Sequence, residues 1–162
     1  MLFCEVFASN TGAVSVVDAE DYALVSQFNW SQNPRGHFVR NDHGKTVMLH
    51  RVIAERMGLD LSHFIDHING NKIDNTRANL RPATNQQNQF NTCEQMNNTS
   101  GFKGVTWDKI NERWLVRIRY RDENGNLKRK HLGSFLTAIE GALAYNSAAR
   151  ELHGEYARVN EI

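Results

Sequence analysis

Asp66 and His67 are adjacent in the chain, Asn79 follows the histidine by twelve residues and Asn88 follows it by twenty-one. A carboxylate beside a histidine, with two amides at fixed distances, can hold one divalent cation and activate one water. Phosphodiester hydrolysis needs that equipment: an in-line water, a base for its proton and a cation near the leaving oxygen. Histidine suits the base, because an unperturbed pKa near about 6.5 leaves it largely neutral at neutral pH. Neighbouring side chains on a strand point to opposite faces, so Asp66 can bind a hard cation while His67 stays off the metal. Mg²⁺ prefers oxygen ligands and keeps several waters, so the Asp66 carboxylate and the Asn88 amide oxygen are a sufficient protein contribution. The cation would stabilise the departing 3′-oxygen while His67 activates water on the other side. An Asp-His pair taken alone has a plainer reading, a turn aspartate beside an incidental histidine.

The surrounding pattern supplies the elements that such a site requires. Residues 64–68 read as a strand, 69–71 as a tight turn and 79–81 as a short returning strand. Thr84 with Gln87 three residues later is a capping box that opens a helix and puts Asn88 in its first turn. Strand, loop, strand and helix would bring Asp66, His67 and Asn88 within reach of one point. Upstream, residues 13–17, 28–30 and 37–40 are short strand candidates, separated by turn signals at 33–36 and 42–44, a β-rich lead-in. Leu49, Val52, Ile53 and Met57 have helical spacing closed by Gly58. The polar, Asn- and Thr-rich stretch 91–100 has no apolar period and reads as a linker.

Beyond it, residues 104–107, 114–121 and 128–132 predict three strands, with 122–126 as a hairpin turn. Thr137 and Glu140 form a second capping box, and Ile139, Ala142, Leu143, Ala149 and Leu152 mark one apolar helix face. Arg117, Arg119 and Arg121 alternate with Val116, Ile118 and Tyr120, so one strand face is cationic and the other apolar. Arg129 and His131 extend the exposed row. The formal net charge of +1 hides an asymmetry: residues 1–95 carry 8 Lys/Arg against 10 Asp/Glu, whereas 101–131 carry 9 against 4. A β-ribbon so charged can enter a DNA major groove or contact phosphates; a solvated strand face is the plainer alternative.

The chain of 162 residues, 40% hydrophobic, suits one ordinary domain or two small ones. Cys4 and Cys93 form no C-x-x-C pair, which supports neither a zinc ribbon nor a disulfide framework and suggests free thiols in a reducing cytoplasm. The apolar opening lacks a basic n-region and is interrupted by Glu5, so a signal peptide is not expected, and no run approaches a membrane span. His63 reads as a surface histidine, with approach to the metal as the alternative, and Asp74 as a turn carboxylate, with a second carboxylate of a two-metal site as the alternative; His37, His43 and His153 have no partner evident from the sequence.

The string Ile65-Asp66-His67-Ile68-Asn69-Gly70, Asn75, Asn79-Leu80-Arg81, Thr84 and Asn88, preceded by Leu49-His50-Arg51, resembles the HNH family of ββα-metal endonucleases in its phage and intron-type branch. The resemblance covers about residues 46–91. It implies His67 as general base, Asp66 and Asn88 as metal ligands, and Asn79 as a structural amide tying the loop to the helix. His50 matches the upstream L-H-R histidine, a supporting position. One divalent metal per site is implied, Mg²⁺ with Mn²⁺ as the alternative. The zinc-stapled version uses cysteine pairs that this chain lacks, so no zinc is expected.

A second resemblance covers about residues 99–162. Ser100-Gly101-Phe102-Lys103-Gly104-Val105, Trp114, Arg117-Ile118-Arg119, His131-Leu132-Gly133-Ser134-Phe135 and the alanine-rich helix ending near Gly154 look like an AP2 domain, a three-stranded sheet on one helix. That family places DNA contacts on the sheet, which points to Lys103, Thr106, Arg117, Arg119, Arg129 and His131. Thr106 and His131 depart from the arginine and tryptophan frequent in the plant domains, so base preference does not carry over.

These readings combine into an α+β chain: a β-rich lead-in and ββα-metal core over residues 1–92, a linker at 93–100 and an AP2-like domain at 101–162. The expected function is a metal-dependent endonuclease of phage or intron homing type, cutting double-stranded DNA to leave 5′-phosphate and 3′-hydroxyl ends. A monomer would nick; a homodimer would supply a second site. The alternative is a non-catalytic AP2-type regulator with a degenerate nuclease part. No membrane partner is expected, and the expected compartment is the cytoplasm of a bacterial or phage-infected cell.

Overall fold

The computed structural model describes residues 2–91 and 98–162, so Cys93 and most of the expected linker lie outside the described residues. The chain forms two compact units, Met1–Asn88 and Gln89–Ile162. Asn98 and Ser100, at the end of the expected linker, belong to a hydrogen-bonded turn: Asn98 Nδ2 donates to the Phe102 carbonyl and Ser100 Oγ to that of Val105. No helix among the described residues is long and apolar enough to cross a membrane.

In the first unit, β1 (Phe3–Phe7) pairs antiparallel with β2 (Val14–Asp18), which runs into α1 (Ala19–Val25). A second sheet has the order β3 (Ser31–Gln32), β4 (Phe38–Asp42), β5 (Lys45–Met48), all antiparallel. α2 (Leu49–Arg56) follows, and β6 (Phe64–His67) then pairs antiparallel with β7 (Leu80–Ala83) across a loop ending in a 3₁₀ turn at Arg77–Asn79. α3 (Asn85–Phe90) comes next, opened by the expected capping box: Thr84 N donates to Gln87 Oε1 and Gln87 N to Thr84 Oγ1.

The lead-in is not purely β. α1 was not expected, and the strand expected at residues 28–30 forms at Ser31–Gln32 instead. The reason is burial of Trp30, 1% exposed: its indole Nε1 donates to the Val25 carbonyl at 2.8 Å, and its backbone bridges Ala8. Nor is the lead-in an appendage. Val6, Val17, Val25, Trp30 and Phe38 share one buried cluster with Leu49 and Ile53 of α2 and with Ile65 and Leu80 of the β6–β7 hairpin.

An ion cluster pins the same parts. Asp21, fully buried, accepts from Arg56 Nε (2.8 Å), Arg77 Nε (2.7 Å) and Arg77 Nη2 (2.9 Å), while Asp18 caps the 3₁₀ turn by accepting from Arg77 N. Burial pushes the Asp21 carboxyl up, but the bonds from Arg77 and Arg56 outweigh it and hold the group below its ordinary value. A depressed folded pKa gives stability that is present above the ordinary carboxylate range and is lost as pH falls through the folded value. Asp21→Asn should therefore destabilise the first unit by about 3 kcal/mol at neutral pH. Thermal unfolding should show the gap from wild type closing in acid; a gap independent of pH would contradict the ion-pair account.

In the second unit, β8 (Val105–Asp108), β9 (Arg113–Arg121) and β10 (Leu127–Phe135) form an antiparallel sheet in the order β10-β9-β8. α4 (Ala138–His153) packs on it, with the Thr137–Glu140 capping box formed. The buried helix face keeps part of the expected set: Ala142 and Ala149 are buried and Leu152 packs beside them, whereas Ile139 and Leu143 are about half exposed, and Tyr145 and Ala148 join the contact with Val105, Val116 and Ile118. Close approach explains the small residues: a Cβ on Gly141 would lie 2.9 Å from Val116 Cγ2, so the helix takes glycine and alanine where it runs nearest the sheet.

Candidate active site and nucleic-acid interface

β6 ends on Asp66 and His67, both buried. The loop that follows is built almost entirely by amides. Asn69 Oδ1 accepts from Asn71 N, Asn79 Oδ1 accepts from Asn69 N at 2.9 Å, and Asn79 Nδ2 donates to the Asp74 carbonyl at 2.7 Å. Asn79 thus closes the loop upon itself; its side-chain bonds go to Asn69 and Asp74 rather than to helix α3, so the expected loop-to-helix tie is a loop clamp. Asp74 is the expected turn carboxylate, accepting from Thr76 Oγ1 (2.8 Å) and Asn69 Nδ2 (2.7 Å).

His67 Nε2 lies 3.1 Å from Asn75 Oδ1. The Asn75 amide is oriented by its other end, where Nδ2 donates to Ser15 Oγ (2.7 Å) and the Lys72 carbonyl, and Ser15 Oγ donates to the Ile73 carbonyl. Asn75 Oδ1 is therefore the acceptor, so His67 Nε2 carries the proton and Nδ1 carries the lone pair. β2 fixes this loop through its backbone as well: Val16 N donates to the Ile73 carbonyl and Asn75 N to that of Val16. Sequence reading gave Asn75 and Ser15 no role. Asn75 stood in the motif string, but Ser15 is sixty residues away and carries no local signal.

Three imidazoles gather here. The ring centroids of His50 and His67 are 5.1 Å apart, those of His37 and His50 5.0 Å, and those of His37 and His67 5.8 Å. Burial lowers His67, although the Asn75 bond opposes it; burial, with the neighbouring histidines, takes His50 to about 3. Burial with Lys72, His67 and Arg35 nearby takes His37 to about 4. All three are neutral at neutral pH, the form a base must have.

The candidate metal ligands are differently placed. Asp66 Oδ2 accepts from both Nε and Nη2 of Arg81, its cross-strand partner, at 3.0 Å each. This arginine, unassigned from sequence, offsets part of the charge that a cation would meet. Asn88 is half-buried in α3, with its side-chain amide in no hydrogen bond among the described residues. No group of three or more His, Cys, Asp or Glu side chains among the described residues is arranged to hold a metal. A carboxylate and an amide oxygen fit a hard cation that keeps most of its waters, and do not fit a soft or tetrahedral one. His63 stays on the surface with Asp60 and Ser62.

On the second unit, Arg117 and Arg119 are exposed while Val116 and Ile118 are buried, the alternation expected. Register puts Arg119 directly opposite Arg129, and Arg117 opposite His131, just before a bulge between His131 and Gly133. None of these guanidiniums makes a hydrogen bond or ion pair among the described residues. Like charges directly opposite on a sheet destabilise it, and an anion over the face would relieve this pairing. Thr106 is exposed on β8. Lys103 is not part of the row: it is half-buried and its Nζ donates to the Phe90 carbonyl at 2.6 Å. His153 is a packing residue, stacked on Phe90 with Nε2 at 2.8 Å from the Arg119 carbonyl.

Comparison with known proteins bears on the whole chain. Residues 47–90 match the family model described as HNH endonuclease. An uncharacterized HNH endonuclease of Acanthamoeba polyphaga mimivirus is 32% identical over 171 residues, spanning all of this chain and 82% of that protein. Protein 3.8 of Escherichia phage T7 is 33% identical over 96 residues, 59% of this chain and 74% of its own length. Dehydration-responsive element-binding protein 2A of Oryza sativa subsp. indica is 43% identical over 67 residues, 40% of this chain and 22% of the plant protein. No solved structure matches the chain at a significant level. The family model lies on the segment carrying His50, Asp66, His67, Asn79 and Asn88, and the mimivirus relative runs the full length of the chain: the protein belongs to the HNH endonucleases, hydrolases that cut phosphodiester bonds in DNA.

Proposed function

We propose that this endonuclease makes a metal-dependent cut in duplex DNA, with His67 Nδ1 taking the proton of the attacking water. The observation that carries this reading is the His67–Asn75–Ser15 chain, which assigns the lone pair to one named nitrogen. Asp66 and Asn88 would hold a single Mg²⁺ or Mn²⁺. When bound, such a cation stabilises negative charge on the departing 3′-oxygen. Attack on phosphorus with loss of that oxygen leaves 5′-phosphate and 3′-hydroxyl ends. Asn79 shapes the loop beneath the base, and His50 supports the His67 ring edge-on.

The second unit is proposed to be an AP2-like DNA-binding domain, with Arg117, Arg119, Arg129, His131 and Thr106 as its contact row. The partial identity to the plant element-binding protein and the unpaired arginine face support this. Pairing of such a domain with a nuclease suits homing of a phage or intron element, in the cytoplasm of the infected cell. One site per chain makes the monomer a nickase, and paired chains would cut both strands.

The test is conversion of supercoiled plasmid carrying source-genome DNA, with Mg²⁺ and with EDTA. Nicked circles that require the cation are the expected product; linear product would indicate paired sites. Cutting that persists in EDTA would remove the metal from the mechanism.

A further inference from the structure

His37 lies outside the segment matched by the family model and received no role from the sequence. Its ring nevertheless completes the imidazole triangle with His50 and His67, and its position is rigidly held. Asn33 Oδ1 accepts from both Arg35 N and His37 N at 3.0 Å, Asn33 N donates to the His37 carbonyl, and the next residue, Phe38, is 1% exposed in the core. Lys72, in the loop beyond His67, reaches across to donate to the Arg35 carbonyl at 2.8 Å. The hairpin carrying His37 is therefore fastened to the loop that orients the base.

The ring itself makes no hydrogen bond among the described residues. Nδ1 of His37 is buried without a partner. The other nitrogen, Nε2, also makes no hydrogen bond among the described residues, and it is not among the buried unpartnered atoms, so it retains some surface toward solvent. A neutral imidazole has one N–H and one lone pair. A lone pair is tolerated in an unpartnered buried position better than an N–H, so the proton belongs on the outward Nε2. A hydrogen-bond donor with no acceptor among the described residues thus reaches solvent beside the proposed base, with Lys72 and Arg35 nearby. A buried nitrogen left unsatisfied costs stability, and hydrophobic packing alone would be served better by phenylalanine.

We propose that His37 contacts the substrate, its Nε2–H donating to a non-bridging oxygen of the phosphodiester that His67-activated water attacks. The assignment rests on His67 as the base. The donor would strengthen its bond as negative charge grows on that oxygen in the transition state, so its loss falls on the rate rather than on DNA affinity.

Gln and Asn separate the two ring nitrogens, since a glutamine amide reaches where Nε2 lies and an asparagine amide only where Nδ1 lies. Single-turnover cleavage of the supercoiled plasmid with Mg²⁺ would be compared for wild type, His37→Phe, His37→Asn and His37→Gln, with melting temperature and plasmid affinity measured alongside. His37→Phe and His37→Asn should cut about 10²- to 10³-fold more slowly at unchanged affinity, the usual loss for one such donor, and His37→Gln should regain much of the rate. His37→Phe cutting like wild type, or Gln faring no better than Asn, would overturn the proposal. Should phenylalanine impair folding, the Gln–Asn comparison still decides. Failure of wild type itself to cut the bound plasmid would instead overturn the underlying mechanism, and the His37 assignment with it.

Discussion

His67→Ala should cut about 10²- to 10⁴-fold more slowly than wild type, the range for loss of a general base, with plasmid affinity nearly unchanged and the melting temperature lowered, because the buried ring and its bond to Asn75 are lost. The size follows from what the ring does. In the proposed mechanism only its unprotonated nitrogen can accept the water's proton, and the bond to the Asn75 amide oxygen favours Nδ1 as that nitrogen. Affinity should survive because the exposed arginines lie on β9 and β10 of the other compact unit. Gel-based cleavage beside a binding titration in EDTA checks both halves. Equal loss of cutting and binding would mean that His67 holds the structure together rather than moving a proton.

Gly104→Ala should have the largest effect on stability. At φ +80° the backbone there adopts a conformation that L side chains rarely take, and an added Cβ would lie 2.2 Å from Cδ2 of Tyr145 and 2.8 Å from the Arg117 carbonyl. Tyr145 is 3% exposed and central to the second core, so it cannot swing clear without opening the α4–sheet contact. Overpacking of this kind, added to the left-handed penalty, costs about 3 kcal/mol or more. A core of this size has little reserve against such a loss. Unfolding followed by the fluorescence of Trp107 and Trp114 should show an early transition, and DNA binding should fall with it. Wild-type melting would show that the helix can shift away from the sheet at little cost.

What could be read from the chain was local. Helix α2 with its Gly58 stop, the capping boxes at Thr84 and Thr137, and the inside–outside alternation along β9 all depend on neighbours a few residues apart, and all formed. Placing Asp66 and His67 at the end of one strand, with Asn88 in the next helix, was legible for the same reason. The parts that escaped depend on distant partners. Ser15 orients Asn75 from sixty residues away, and His37 reaches the other imidazoles only because Phe38 is drawn into a core shared with α2. The apolar count along α4 misled at Ile139 and Leu143, because the clearance between Gly141 and Val116 selects small residues that hydrophobicity alone does not single out.

The debt of the catalytic loop to β2 bears on how such enzymes can be recombined. The segment that matches the family begins at residue 47, yet the serine that sets the amide that sets the histidine stands at position 15. Grafted onto another scaffold as a cassette, residues 47–90 would transplant the histidine without the side chain that orients its amide partner. On the proposed mechanism, a working chimera would take its crossover upstream of β2, inheriting the N-terminal strands together with the loop that Ser15 braces.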